Sequence, residues 1–323
     1  MQNLRRTYSI AILLILGIIL VSGCSNKVES GNLYKAAMIM EGKMEDKPWN
    51  QKGYKGLLEI EKKLGVEIEV IEDVSTEAEL SKAVSDLVDE GTNLIFGHSS
   101  NYGEAFYNLS QTYTDIHFVY FNGNYYRNNL TSMNFNSHGM GFFAGMIASS
   151  TTKTNEVGII AAYQWQPEIE GFYEGVKYQN PQANVRMEFI YDWNDNEAAL
   201  DAYDRLKNQG VDVIYPAGDA ISEDIIKLAG DDGIYAIGFV SDQINVEPET
   251  VLTSTVQHVD RLYVLAAEKF NEGDLNGEIM TFDFADDYIT MGEFSKSVPK
   301  YFQQRLVDYI EKYKETGLLP NQY

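Results

Sequence analysis

The sequence predicts an α/β chain of two lobes, each built on a doubly wound parallel sheet, and three observations carry that prediction. Short apolar runs alternate with amphipathic stretches from residue 34 onward, the rhythm of strand-helix-strand units. The same rhythm restarts after the polar stretch Thr151 to Asn155. The chain has 323 residues, and at roughly 100 to 200 residues per domain that is room for two cores.

Taken in order, Tyr34 to Met40 reads as a strand. Pro48 to Leu64 reads as a helix with Gly53, Leu57, Ile60 and Leu64 on one face and Gly65 as its stop. Val66 to Ile71 alternates as a strand. Thr76 with Glu79 forms a capping box for a helix whose stripe is Leu80, Val84, Leu87 and Val88, closed by Gly91. Asn93 to Gly97 is again a strand, and Ser132 to Phe135 is strand-like. Gly139 to Ser150 is a helix of small and hydrophobic residues. In the second half, strands are expected at Val157 to Ala161, Val185 to Tyr191, Val211 to Tyr215 and Ile234 to Phe239. The segments 91–97 and 210–216 nearly superimpose in pattern, as two similar lobes would require. Helices at Val256 to Phe270 and Val298 to Tyr313 and a strand at Ile279 to Phe284 are expected to cross back and complete both lobes. The expected division is residues 34–150 with 247–275 for the first lobe and 151–246 with 276–323 for the second, the crossover segments forming a hinge.

The N-terminus carries an address. Arg5 and Arg6 precede the apolar run Ile10 to Val21, which at twelve residues is shorter than the roughly 20 that span a bilayer. It ends in Leu20-Val21-Ser22-Gly23-Cys24, the pattern of a bacterial lipoprotein signal, and Cys24 is the only cysteine in the chain. Residues 1–23 are therefore expected to be a signal peptide, Cys24 to be lipidated, and 24–33 to be a tether on the outer face of the cell membrane. With 25 Lys and Arg against 48 Asp and Glu the formal charge is -23; cleavage removes Arg5 and Arg6 and no acid, leaving 300 residues and -25. Such a charge repels the phosphate backbone, which excludes direct nucleic-acid binding, and leaves membrane attachment to the acyl chains.

Dispersed motifs then point to a family. Asp46-Lys47-Pro48-Trp49-Asn50-Gln51, Gly175-Val176-Lys177-Tyr178-Gln179-Asn180-Pro181, Gly238 to Gln243 and Leu252-Thr253-Ser254 resemble, in order, motifs of the basic membrane protein or PnrA-like substrate-binding lipoproteins. The resemblance implies a two-lobed type I periplasmic-binding-protein-like fold that closes on a purine nucleoside or similar small molecule and feeds an ABC-type permease, without enzymatic activity or cofactor. Gly53 to Leu58, Trp165-Gln166-Pro167-Glu168 and Tyr215 to Asp219 resemble more specifically a lipoprotein of this family linked to competence-gene activation in spore-forming bacteria. That implies an alternative, a regulator acting indirectly through a membrane-spanning protein partner.

By resemblance, Trp49 occupies one base-stacking position and Trp193 supplies a second from the other lobe; the alternative is that both pack core or lobe surface. Asn50 and Gln51 read the base edge or lie on a helix surface. Asp242 matches the family's ribose-binding carboxylate, with turn capping as its alternative. The family's base-reading aspartate falls at Met40 here, so either the adjacent Glu41 substitutes or the ligand differs, and the family's lysine is replaced by Gln257.

Other signals fail on their chemistry. Gly97-His98-Ser99-Ser100-Asn101 lacks the second glycine of a nucleophile elbow and reads as a polar loop lining a cleft. His98, His117, His138 and His258 have no metal-ligand spacing. Gly139-Met140-Gly141-Phe142-Phe143-Ala144 fits a dinucleotide fingerprint formally, but the next strand ends in Ala161-Ala162 without the required acid, so the glycines are expected to permit close helix packing near the lobe crossing. Asp231-Asp232 and Asp286-Asp287 read as solvated turns.

Overall fold

A computed structural model describes residues 31–45, 48–193 and 195–323. The signal segment, Cys24 and the tether up to residue 30 lie outside the described residues. The folded body begins at Leu33, one residue earlier than expected: its side chain is buried and its N–H donates to Asn271 Oδ1 at 3.0 Å.

In the first lobe, β1 (Lys35–Ile39), β2 (Glu67–Ile71), β3 (Leu94–Gly97), β4 (His117–Phe121) and β5 (Leu130–Phe135) pair in parallel in the order β5-β4-β3-β1-β2. The second lobe repeats that order with β6 (Glu156–Ala161), β7 (Asn184–Phe189), β8 (Val213–Ala217), β9 (Tyr235–Val240) and β10 (Val251–Gln257), as β10-β9-β8-β6-β7. The two segments of similar pattern thus hold equivalent places, as β3 and β8. Because both faces of these sheets are covered, β4 and β10 are buried throughout, which is why they are rich in β-branched and aromatic residues without a polar alternation.

Helices α1 (Pro48–Leu64) and α2 (Glu77–Asp89) follow the expected periodicity. Gly53, Leu57 and Ile60 are buried on α1, and the Thr76–Glu79 capping box on α2 is formed in both directions. Helix α3 (Gly103–Leu109) covers the first sheet, and α4 (Ser137–Thr151) leads to the second lobe, whose helices are α5 (Pro167–Gln179), α6 (Asn196–Asn208) and α7 (Ser222–Asp232).

The C-terminal third departs from expectation in which lobe each segment completes. Residues 251–257, read as first-lobe and partly helical, are strand β10 of the second sheet; the run is rich in β-branched residues (Val251, Thr253, Thr255, Val256) and buried on both faces. The chain then returns to the first lobe as α8 (Val259–Glu272), tied to α1 by Lys55 and Asp260 at 2.8 Å. Strand β11 (Ile279–Phe282) extends the first sheet beside β5 rather than the second. Strand β12 (Ile289–Met291) joins β10 antiparallel, and α9 (Lys300–Thr316) lies against α5 through Arg305 and Gln179. Periodicity marks an element but not the sheet edge that receives it.

Helices α4 and α5 join the lobes along one seam. A Cβ added to Gly141 or Gly145 would meet the backbone oxygen of Glu168 or Phe172 at 2.1 and 2.2 Å, and one on Gly171 or Gly175 would meet that of His138 or Phe142 at 1.9 Å. Only hydrogen at these positions lets the two backbones touch, so the formal dinucleotide fingerprint is a packing surface, as expected.

Candidate functional site

The loops at the carboxyl ends of both sheets face each other across the gap between lobes, the place where doubly wound sheets bind ligands. They enclose a cavity of about 280 Å³, near the small end of the roughly 300–1,000 Å³ range of ligand pockets. The first lobe lines it with Glu41 after β1, Trp49 and Asn50 of α1, His98 to Ser100 after β3, Phe121 and Asn122 at the end of β4, and Asn134 and Phe135 at the end of β5. The second lobe contributes Trp165 to Glu168 after β6, Trp193 after β7, Asp219 after β8, Phe239 and Val240 of β9, and Gln257 of β10.

The first-lobe wall is held by a ring stack. Trp49 lies 5.1 Å from His98 with the planes 24° apart, and the indole N–H donates to the His98 carbonyl at 3.2 Å. The imidazole is fixed in turn: Nε2 donates to the Trp49 carbonyl at 2.9 Å and Nδ1 accepts from the Tyr263 hydroxyl at 2.8 Å. Complete burial pushes His98 down to about 4, so it is neutral at physiological pH. Gly53 makes room for it, since a Cβ there would lie 2.4 Å from the imidazole. On the opposite wall Tyr163 stacks on Trp165 at 5.5 Å and 16°, and Trp193 meets both edge-on at 5.4 and 6.0 Å.

Two contacts tie the lobes together across the cleft. Pro48 opens α1 without an N–H, so the Trp49 N–H is the helix's first free donor, and both carboxylate oxygens of Asp219 lie 3.2 Å from it. The first turn of α1 contains no acid of its own; the second lobe supplies the charge that its dipole favours. Behind this, Lys52 Nζ donates to the carbonyls of Val240 and Gln257, both at 2.8 Å, and burial pushes it down to about 8. Val240 stands at φ 65°, a left-handed conformation that is strained for a β-branched residue, at the point where its carbonyl meets Lys52.

Glu168 is the buried acid of the site. It is 4% exposed, and its Oε1 accepts from Gln166 Nε2 at 2.7 Å. Gln166 is oriented by two further bonds, accepting from the Tyr163 N–H at 2.8 Å and donating to the Ala217 carbonyl at 2.9 Å. Burial pushes the Glu168 carboxyl up to about 7.

The residues singled out from sequence separate into two groups. Trp49, Asn50, Glu41 and Trp193 line the cavity. Glu41 accepts from Asn101 Nδ2 at 2.9 Å, and Asn50 donates to the Lys43 carbonyl at 2.8 Å. Gln51 and Asp242 are absent from the lining. Gln51 is exposed and donates to the Glu45 carbonyl at 3.0 Å. Asp242 holds its own loop: Oδ1 accepts from the Ile244 N–H and the Ser254 hydroxyl, each at 3.2 Å, and Oδ2 accepts from the Glu293 N–H at 2.8 Å. The Gly238–Gln243 motif is a structural unit here, with the Gln243 N–H on the Ser254 hydroxyl and its amide between Phe239 and Ser222. Cys24 lies outside the described residues. Sequence reading put His98 on a polar loop lining a cleft but gave no ligand role to it or to Glu168, Asp219, Lys52 or Trp165; Trp165, Glu168 and Asp219 fall within motifs that the sequence had marked, and Lys52 directly follows one.

The comparisons agree with this architecture. The sequence is 42% identical over 303 residues to the transcriptional activator protein Med of Bacillus subtilis, covering 94% of this chain and 96% of that one. It is 25% identical over 266 residues to a purine-binding protein of Brucella abortus, covering 81% and 75%. The crystal structure of a transcriptional activator of the comK gene from Bacillus halodurans superposes with a TM-score of 0.81 at 41% identity, covering 89% of this chain and 99% of that one. A solute-binding protein of an ABC transporter from Aeropyrum pernix shares the fold at a TM-score of 0.71 and 18% identity, over 90% and 82% of the two chains. The profile of the Bmp family, described as ABC transporter substrate-binding protein PnrA-like, matches residues 33–322, and the chain belongs to that family.

Proposed function

We propose that this chain is a lipid-anchored extracytoplasmic binding protein whose lobes close on a flat, nucleoside-like molecule. The observation that carries the reading is a single cavity walled by Trp49 from one lobe and by Trp165 and Trp193 from the other, with the amides of Asn50, Asn122 and Asn134 on its lining. Flat apolar walls with a few polar edges suit a heterocyclic base, and the purine-binding relative from Brucella abortus supports that class. The Leu20-Val21-Ser22-Gly23-Cys24 signal supports the anchor, and the family supports delivery to an ABC-type permease. Closure is a rigid-body hinge motion, with Asp219 on α1 and Lys52 on β9 and β10 as the contacts that the closed form gains.

A second reading, a regulatory lipoprotein acting through a membrane-spanning protein partner, is favoured by the 42% identity to an activator over nearly the whole chain. It is favoured also by the buried Met40 at the family's base-reading position and by the engagement of Asp242 within its loop. A body of charge -25 acts on transcription only indirectly. A thermal-shift screen of the mature chain against nucleosides and free bases tests the first reading: a ligand at a hundred times its Kd adds about 2.7 kcal/mol of stability. No shift with any of them at millimolar concentration overturns it and leaves the regulatory reading.

A further inference from the structure

Resting on the ligand-binding reading above, we infer that Glu168 is the carboxylate that reads the ligand in this cleft, and that the cleft selects a flat, positively charged nitrogen heterocycle. Three observations carry it. Glu168 is 4% exposed and lines the cavity, so a carboxylate there has given up water without gaining a charged partner in exchange: its Oε1 is met by the neutral amide of Gln166, at 2.7 Å. That amide is itself fixed by Tyr163 and Ala217, and the other bond to the carboxyl comes from the backbone N–H of Glu168 itself, so neutral groups alone meet it and no charged side chain competes with what enters the cavity. Finally, Trp49, Trp165 and Trp193 line the same space, and aromatic rings attract cations, most strongly when both are desolvated.

The surrounding charges agree in sign. Among the described residues the lining holds the carboxylates of Glu41, Glu168 and Asp219 and neither lysine nor arginine, and His98 is neutral. From β8, Tyr215 faces Glu168 with its hydroxyl pushed well above its ordinary range and so protonated. Lys52 of α1 is turned to the Val240 and Gln257 carbonyls behind the cleft, and His138 of α4, the helix packed on α5, pairs with Glu174. A bound cation would therefore be the direct partner of the Glu168 carboxylate, which burial alone keeps half protonated near pH 7.

The test uses two nucleosides of nearly the same shape, adenosine and 1-methyladenosine, whose base is cationic at neutral pH. Both are titrated calorimetrically into the mature wild-type chain and into Glu168→Gln. The expected result is tighter wild-type binding of 1-methyladenosine than of adenosine by about tenfold or more, and loss of that preference in Glu168→Gln. Repeating the cation titration at pH 6 in buffers of different ionisation enthalpy should reveal release of nearly one proton per site from the wild type and none from the variant, a signature that a merely structural glutamate would not give. Equal affinities, or a preference that survives in Glu168→Gln, overturn the inference while leaving the binding reading intact. Failure of both nucleosides to bind the wild type overturns both.

Discussion

Replacing Glu168 by Gln should stabilise the empty protein, by an amount that depends on pH. Glu168 is fully buried and its carboxyl is raised from 4.5 to about 7. At about 1.36 kcal/mol per pKa unit, ionising it inside the fold costs on the order of 3 kcal/mol. The raised value fixes the sign: the carboxyl's favourable contribution is complete below its unfolded value of 4.5 and is lost as pH rises through 7. Glutamine keeps the shape and offers an amide oxygen to Gln166 but carries no charge to bury. At pH 8 the variant should melt higher than the wild type by about 5 to 10 °C, and at pH 5 the advantage should shrink to under about 1 kcal/mol. Differential scanning calorimetry from pH 5 to 8 reads this directly. A variant less stable than wild type at pH 8, or a difference that does not change with pH, would refute the assignment of Glu168 as a buried acid without a charged partner.

Four further outcomes follow from the same geometry. In Gly175→Ala the new methyl would lie 1.9 Å from the Phe142 backbone oxygen; overpacking of about 3 kcal/mol or more against roughly 1 kcal/mol of helix propensity should leave a net loss near 2 kcal/mol in denaturant titrations. A Gly175→Ala variant as stable as wild type would mean that α4 and α5 are not in backbone contact. Asp219→Ala removes the cap that the second lobe places on α1, so amide exchange at Trp49 should speed about fivefold, equivalent to about 1 kcal/mol; unchanged exchange would show that the latch is not formed in solution. Asp242→Asn should cost about 1 to 2 kcal/mol of stability through its three loop bonds, with the ratio of nucleoside to free-base affinity unchanged; a loss confined to ribose-bearing ligands would return Asp242 to the site. If the proposed anchor holds, Cys24→Ala should release the chain into the soluble fraction, since acyl chains at about 0.8 kcal/mol per buried CH2 would supply the attachment, and unchanged membrane fractionation would contradict it.

Much of the fold is legible because local rules and the global structure agree. The bounds of α1 are those read from its apolar face and Gly65, and the Thr76–Glu79 box forms as written. The parallel sheets follow from strand and helix alternation, and the small residues of α4 pack as their size implies. The fate of β10 and β11 was not legible, because a buried strand carries no mark of the sheet that it will join. The same holds at the site. Trp49 and Trp193 were visible as rare aromatics just past strands, but Asp242 depends on Ser254 and Glu293, which no local pattern brings to it. Glu168 and Lys52 look like ordinary charged residues of amphipathic helices. What distinguishes them is burial at the meeting of two lobes, a property of the assembled chain.

In the proposed function, two aromatic walls from different lobes close on one flat molecule. Calorimetric titration of adenosine, guanosine and inosine, each with its free base, into the mature wild-type chain and into Trp49→Ala tests it most directly. The expected result is saturable binding of at least one nucleoside at a Kd well below 1 mM, and a loss on the order of 1 to 3 kcal/mol when the Trp49 wall is removed. Absence of heat from every nucleoside and base at millimolar concentration, where binding is weaker than about -4 kcal/mol, would contradict it.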